Sequence, residues 1–185
     1  MESILKDVIV EFFYKYSIMM ESQHGFTKGR SCLTNLLEFL ENATSDLDEG
    51  NAVDIIYLDF AKAFDKVPHQ RLFKKMFAHG VGGKIWGWIQ NWLLDRKQKV
   101  SINGTYSRWK NVQSGVPQGS VLGLLLFLVY INDIDQGVVS KLCKFADDTK
   151  FGAKVGDTFG VEDLRADLKR VYQWSVEWQH VIQFR

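Results

Sequence analysis

Apolar and polar positions alternate along this chain in blocks whose period changes from segment to segment. Ile4–Met19 is apolar and aromatic enough for a helix, though without a clean stripe, and Gln23–Arg30, with two glycines, reads as a loop. Ser31 is placed to cap a helix running to about Thr44, with Leu33, Leu36, Leu37 and Leu40 on one face. After a turn at Asp46–Asn51, Val53–Leu58 is short and nearly all apolar, which suits a central strand with Asp59 at its end. Helices are predicted over Gln70–Ala78, closed by Gly80, and over Lys84–Leu94. Lys99–Asn103 and Ser107–Val112 flank Gly104 as a hairpin. Gly119–Asp133 opens on a Gly-Ser pair and continues as a helix apolar enough to be buried. Lys141–Ala146 and Thr149–Val155 read as strands around a tight acidic turn at Asp147-Asp148. Val161–Trp178 is amphipathic, with Leu164, Leu168, Val171 and Tyr172 at helical spacing. Helices interspersed with hairpins around one central strand predict an α+β fold.

Composition narrows the class. The 185 residues favour one domain, and 46% hydrophobic against 24% charged residues excludes a disordered chain. Cys32 and Cys143 share no metal or redox spacing and read as small buried thiols in a reducing compartment. The longest apolar run, Val121–Ile131, is far shorter than the roughly 20 residues of a membrane span. Charges interrupt the first twenty residues, so no signal peptide is expected. The expectation is an intracellular protein without a membrane partner, nucleus and cytoplasm being equally open. The net charge of +1 hides an asymmetry: Lys66–Lys110 holds ten basic residues and a single acidic one, Asp95. Such a block suits an anionic polymer, whose phosphates release counterions when neutralised, and equally a solvated basic face.

Three segments carry candidate chemistry. Asp59 ends a strand within Tyr57-Leu58-Asp59-Phe60-Ala61-Lys62-Ala63-Phe64-Asp65, and Asp147 and Asp148 tip a hairpin in Phe145-Ala146-Asp147-Asp148. Carboxylates held together on rigid strands repel, and a divalent cation with a taste for oxygen ligands relieves the repulsion. In Ser114-Gly115-Val116-Pro117-Gln118-Gly119-Ser120, glycines permit close approach of a bulky partner. Singly, each segment is equally a cap, a turn or a helix start.

Taken together, their order and spacing resemble the palm motifs of reverse transcriptases. Gln23-His24-Gly25-Phe26-Thr27-Lys28-Gly29-Arg30-Ser31 is similar to a fingers motif of non-LTR retrotransposon enzymes, and Gly119–Ile134, ending Tyr130-Ile131-Asn132-Asp133-Ile134, is typical of the LINE or jockey type. The resemblance covers about residues 20–178. It implies a palm with partial fingers, an antiparallel sheet packed on helices, divided as 1–52 fingers, 53–178 palm and 179–185 a divergent tail. It implies RNA-directed DNA polymerisation by two-metal transfer of a dNTP onto a DNA primer on an RNA template, with Mg²⁺, or alternatively Mn²⁺, as cofactor. Asp59, Asp147 and Asp148 would then be the catalytic carboxylates and metal ligands, with the Phe60 carbonyl as a further ligand. Phe64, Gln118 and Gly119 would line the nucleotide pocket, Phe64 being equally plausible as core. Lys74, Lys75, Arg96 and Lys97, from the basic block, would contact nucleic acid.

The chain also departs from the pattern. Leu124 stands where proline is usual, and leucine preserves a helix. Only 22 residues precede Gln23, and no equivalent of the family's triphosphate-gripping basic residues is evident there. After Glu177-Trp178-Gln179 the chain has His180-Val181-Ile182-Gln183-Phe184-Arg185, so the thumb is expected to be missing. The alternative to an active polymerase is therefore a catalytically inactive relic that binds nucleic acid or protein. Apolar faces left bare by truncation are expected to favour self-association.

Overall fold

The computed structural model describes residues 1–156 and 158–184, the side chains of Gln183 and Phe184 excepted. Two compact units emerge: Met1–Lys15 with Phe64–Tyr130, and Tyr16–Ala63 with the described residues from Ile131 onward.

The second unit is built on a four-stranded antiparallel sheet. Its strands are β1 (Val53–Phe60), β6 (Lys141–Phe145), β7 (Asp148–Lys154) and β8 (Ile182–Phe184), in the order β6-β7-β1-β8. The tail segment thus joins the sheet as an edge strand, with Asp59 opposite Gln183 and Phe60 opposite Ile182. The β1–β7 ladder runs from Val53↔Lys154 to Leu58↔Thr149. Side chains alternate across it. Leu58, Phe60, Lys144, Thr149 and Phe151 lie on one face, each at most 2% exposed. Helix α6 (Thr158–Trp178) covers that face, with Trp174 edge-on to Phe60 at 6.2 Å. Its inward stripe is Leu164, Asp167, Val171 and Trp174, while Tyr172 is 57% exposed. The stripe is rotated from the one predicted because Asp167, fully buried, accepts hydrogen bonds from the amides of Val139 and Ser140 just before β6.

Helix α2 (Cys32–Asp48) crosses the opposite face. Ser31 and Thr34 form a capping box at its start, each side chain accepting from the other's amide. Phe39 packs on this face beside Tyr57, while Leu33, Leu36, Leu37 and Leu40 point to solvent. Burial of Asn35 fixes this orientation: its amide donates to the Lys144 carbonyl and its oxygen accepts from Lys150.

Beneath the sheet lies a buried polar network. Lys144, with no exposed surface, pairs with Asp135 at 3.0 Å and donates to the Asn132 carbonyl. Burial pulls the Lys144 pKa down, and Asp135 and Asp133 oppose that pull. Asn132 accepts from the Met20 amide and donates to the Ile18 carbonyl, Ser22 donates to Asp135, and Trp174 donates to Asp133. The polar positions of Asn132-Asp133-Ile134-Asp135 therefore bind the 18–22 segment and α6 to the underside of β6.

The first unit contains α1 (Glu2–Lys15), α3 (His69–Ala78), α4 (Gly83–Leu93), four two-residue strands and α5 (Val121–Ile131), whose last residue belongs to the second unit. Asn103 and Gly104, both at positive φ, make the tight turn between β3 (Ser101–Ile102) and β4 (Thr105–Tyr106). The outer pair is β2 (Lys97–Gln98) with β5 (Lys110–Asn111). The returning strand starts at Thr105, earlier than predicted, because a two-residue turn suffices. Among the described residues no helix is long and apolar enough to cross a membrane.

Two stability predictions follow from the network under the sheet. Lys144→Met leaves Asp135 without its cation and is expected to cost about 3–5 kcal/mol in urea denaturation; a loss below about 1 kcal/mol would contradict the pairing. For Asp167, burial raises the carboxyl pKa, but the donors from Ser140, Val139 and Arg170 outweigh it and hold the group below its ordinary value. A folded pKa below the unfolded one stabilises above the unfolded value of about 4, and that stabilisation is lost as pH falls through the folded pKa. Asp167→Asn should thus be less stable at pH 7 by about 1.5–3 kcal/mol. The gap from wild type should close in acid, and a gap constant from pH 7 to pH 3 would exclude the charged role.

Candidate active site

The three acidic residues singled out from the sequence lie at one end of the second unit's sheet. Leu58 opposite Thr149 is the last β1–β7 pair, both buried. One step further along the strands stand Asp59 and Asp148, which by alternation point to the other, α2-bearing face. There Asp59 is half-buried and Asp148 exposed. Phe39 covers this face further along, at Tyr57 and Gly152, so the acidic end stays open. Phe145 and Asp148 pair across a two-residue turn of Ala146 and half-buried Asp147. The donor set is carboxylate oxygen in a half-exposed setting, which fits a hard cation such as Mg²⁺. Among the described residues no three His, Cys, Asp or Glu side chains converge closely enough to hold a metal ion by themselves. Mutually repelling carboxylates fit that spacing, and Mg²⁺ commonly takes one or two carboxylates and completes its shell with water and phosphate.

The turn is strained and externally held. Ala146 has φ +55°, a left-handed conformation that a β-carbon disfavours. Gln23, 2% exposed, reaches it across the sheet edge. The Gln23 Oε1 accepts from the Ala146 amide at 2.9 Å and from the Gly25 amide at 2.7 Å, and its Nε2 donates to the Ala146 carbonyl at 3.3 Å. Backbone bonds from Lys144 N to Ser22 O and from His24 N to Lys144 O run alongside as a parallel bridge. A β-carbon on Gly25 would lie 2.3 Å from the Ala146 nitrogen, so only glycine allows the approach. His24, also buried, bonds Thr34 through Nδ1 and faces Arg30 and Glu38 through Nε2. Burial, then Arg30, lower its pKa despite Glu38.

Apart from Phe60, the last residue of β1, the remaining predicted site residues belong to the first unit. The Ser114–Ser120 loop is tied to residues 64–67: Val116 N donates to Phe64 O, Gly115 N to Val67 O, and Ser114 Oγ to Asp65 O. Gly115, at φ +90°, leaves no room for a β-carbon, which would meet the Asp65 carbonyl oxygen at 2.7 Å. The Gly115 carbonyl accepts from His69 Nε2 at 2.8 Å and from Arg96 at 2.5 Å. Burial lowers the His69 pKa, the bond to Gly115 opposes that pull and Arg96 adds to it; facing a carbonyl oxygen, Nε2 is the donor. Phe64 is half-buried and stacks on Phe127 with ring centroids 4.3 Å apart, so one face of its ring belongs to the core. Gln118 and Gly119 are exposed, the latter at φ +87°.

The four basic residues divide in two. Lys74 and Lys97 are exposed. Lys75 is 3% exposed and donates to the Tyr130 carbonyl at 2.6 Å, while Arg96 spends its guanidinium on the carbonyls of Leu93 and Gly115. Burial takes Lys75 out of reach of nucleic acid, a correction to the expectation, while half-buried Arg96 braces the Gly115 carbonyl. Sequence reading assigned no structural role to Gln23, Gly25, Asn35, Asp135 or Lys144. The available signal was the polar pattern of Gln23–Gly25 and of Asn132–Asp135, whose partners include residues more than a hundred positions away.

Comparison with known proteins agrees with this architecture. The family model for reverse transcriptase (RNA-dependent DNA polymerase) matches residues 1–184, further in both directions than the motifs alone. The chain is 32% identical over 186 residues to a probable RNA-directed DNA polymerase from transposon X-element of Drosophila melanogaster, covering 96% of this chain and 20% of that protein. It is 28% identical over 165 residues to the RNA-directed DNA polymerase from mobile element jockey of Drosophila funebris, covering 84% of this chain and 18% of that one. The chain thus spans a fifth or less of these relatives' length. Among solved structures, a telomerase from Candida albicans in complex with a fragment of telomeric RNA superposes with a TM-score of 0.69 at 13% identity, covering 98% of this chain and 34% of that one. An apo telomerase from Candida tropicalis gives 0.67 at 12%, covering 100% and 40%. With the fold, the sheet-end carboxylates and the matched length in agreement, the chain belongs to the reverse transcriptase (RNA-dependent DNA polymerase) family.

Proposed function

We propose that the chain is the polymerising core of a non-LTR retrotransposon enzyme, extending a DNA primer on an RNA template. The observation that carries the reading is the β1–β7 register, which brings Asp59 and Asp148 to the same open face beside the Asp147 turn. In this reading the primer 3′-hydroxyl oxygen bonds to the α-phosphorus of a dNTP, the bond to pyrophosphate breaks, and the hydroxyl proton passes to solvent. Bound Mg²⁺ or Mn²⁺ would supply charge neutralisation of the hydroxyl and of the departing pyrophosphate. The chain's own contribution is positional. Asp59 and Asp147, with Asp148 and the Phe60 carbonyl beside them, would hold the cations: Asp59, Phe60 and Asp148 stand on strands, and Asp147 in the tight turn that joins two of them. Phe64, Gln118 and Gly119 are proposed to border the nucleotide. The exposed basic residues Lys74 and Lys97 are proposed to touch the backbone of the hybrid, whose A-like form is recognised by shape and phosphate.

Primer extension on poly(rA)/oligo(dT) with Mg²⁺ or Mn²⁺ tests the reading. Asp59→Asn and Asp147→Asn should each lower the rate by at least about 100-fold, since each removes a preorganised charge. Extension that survives both changes would refute it, and a folded wild type without extension would favour the inactive binding module. A second test concerns charge: replacing Lys74 and Lys97 by alanine should flatten the plot of log affinity for an RNA–DNA hybrid against log salt by up to about 2 units. An unchanged slope would remove these lysines from the interface.

A further inference from the structure

The structure assigns Gln23 a role in the reaction as a positioning residue: it seats the Ala146 peptide groups and so sets where Asp147 and Asp148 stand. The inference rests on the polymerase reading and names a determinant of the same site. Three observations carry it. First, the two-residue hairpin loop calls for positive φ at its first position, and it is filled by Ala146 at φ +55°, where a β-carbon is disfavoured and glycine would be at ease. Second, one buried side chain satisfies both backbone groups of that residue, which needs an acceptor and a donor on a single planar head. Glutamate lacks the donor, and asparagine is one methylene too short. Third, Gly25 packs against the same peptide so closely that any side chain would push the turn away. Gln23 also bonds the Gly25 amide, so its own head is fixed by the loop that it holds. The clamp acts from outside the hairpin, 123 residues away in sequence, and through the backbone of Ala146.

Displacing a catalytic group by about an ångström costs on the order of 100-fold in rate. The test compares wild type with Gln23→Glu, which keeps volume and acceptors but sets a carboxylate oxygen against the Ala146 carbonyl, and with Gly25→Ala, which removes no polar group and displaces the turn sterically. Gln23→Ala is the harsher variant, and circular dichroism with urea melting selects those that fold. Four quantities are read: kcat and the dNTP KM in primer extension, Kd for the hybrid, Mn²⁺ affinity by electron paramagnetic resonance, and hydrogen exchange of the Ala146 amide. In both Gln23→Glu and Gly25→Ala we expect kcat to fall about 10- to 100-fold, with hybrid Kd and KM within about twofold of wild type, weaker Mn²⁺ binding and faster Ala146 exchange. Unchanged exchange in Gln23→Glu would overturn the clamp. Faster exchange with unchanged kcat and Mn²⁺ affinity would overturn the positioning role and leave a merely structural one. A folded wild type that neither extends primers nor binds Mn²⁺ would overturn the polymerase reading and the positioning role with it, while exchange would still report on the clamp itself.

Discussion

The register between β1 and β7 is the constraint on which the second unit depends. Side chains alternate with period two, so a slip of one residue would turn Asp59 into the apolar face under α6 and expose Leu58. Apolar burial enforces the register: Leu58, Phe60 and Phe151 are each almost fully buried on one face, and the acidic residues are left the other. The same alternation that builds the core therefore aims the carboxylates. No separate device is needed for Asp59, which follows from two buried neighbours on its own strand.

The hairpin needs more help, because its tip departs from low-energy backbone. Ala146 at positive φ costs about 1–2 kcal/mol relative to a relaxed conformation. That strain is offset by contacts from two directions. From the side, Gln23 and the backbone bonds of Ser22 and His24 grip residues 144–146. From below, the buried Lys144–Asp135 pair and its neighbours Asn132 and Asp133 hold β6 in place. An ion pair so placed is a poor source of net stability compared with packed apolar residues. Its directional bonds fix β6 against the 18–22 segment, which is what a preorganised site requires.

Local pattern made much of the fold legible. The strand at Val53, the hairpin around Asp147-Asp148, the Ser31 cap and the apolar helix after Ser120 are set by neighbours a few residues away, and each forms close to where the periodicity indicates. What the pattern could not reveal is which face of a helix turns inward. The leucines of α2 form a better apolar stripe than the Asn35–Phe39 side, yet the latter is buried because Asn35 finds partners on β6 and β7. Lys75 looks like a surface cation in any local window, and only the Tyr130 carbonyl, 55 residues away, reveals it as interior. The tail failed to look like a strand because three residues carry no period, although the edge of β1 takes them up. For the site, short motifs marked where acidic residues cluster. The grip of Gln23 on Ala146 spans 123 residues, and the local polar pattern of Gln23–Gly25 marks one end of it without naming the other.

The central claim, that strand register gathers Asp59 and the Asp147-Asp148 turn into one divalent-cation site, is open to a direct chemical readout. Fe²⁺ introduced in place of Mg²⁺, with ascorbate and peroxide, generates hydroxyl radicals that cut the backbone next to the bound ion. The account predicts cuts in two places far apart in sequence, around residues 59–61 and 146–149, both suppressed by excess Mg²⁺. Cleavage confined to one of these segments, or appearing only at other acidic positions such as Asp46–Glu49, would contradict it.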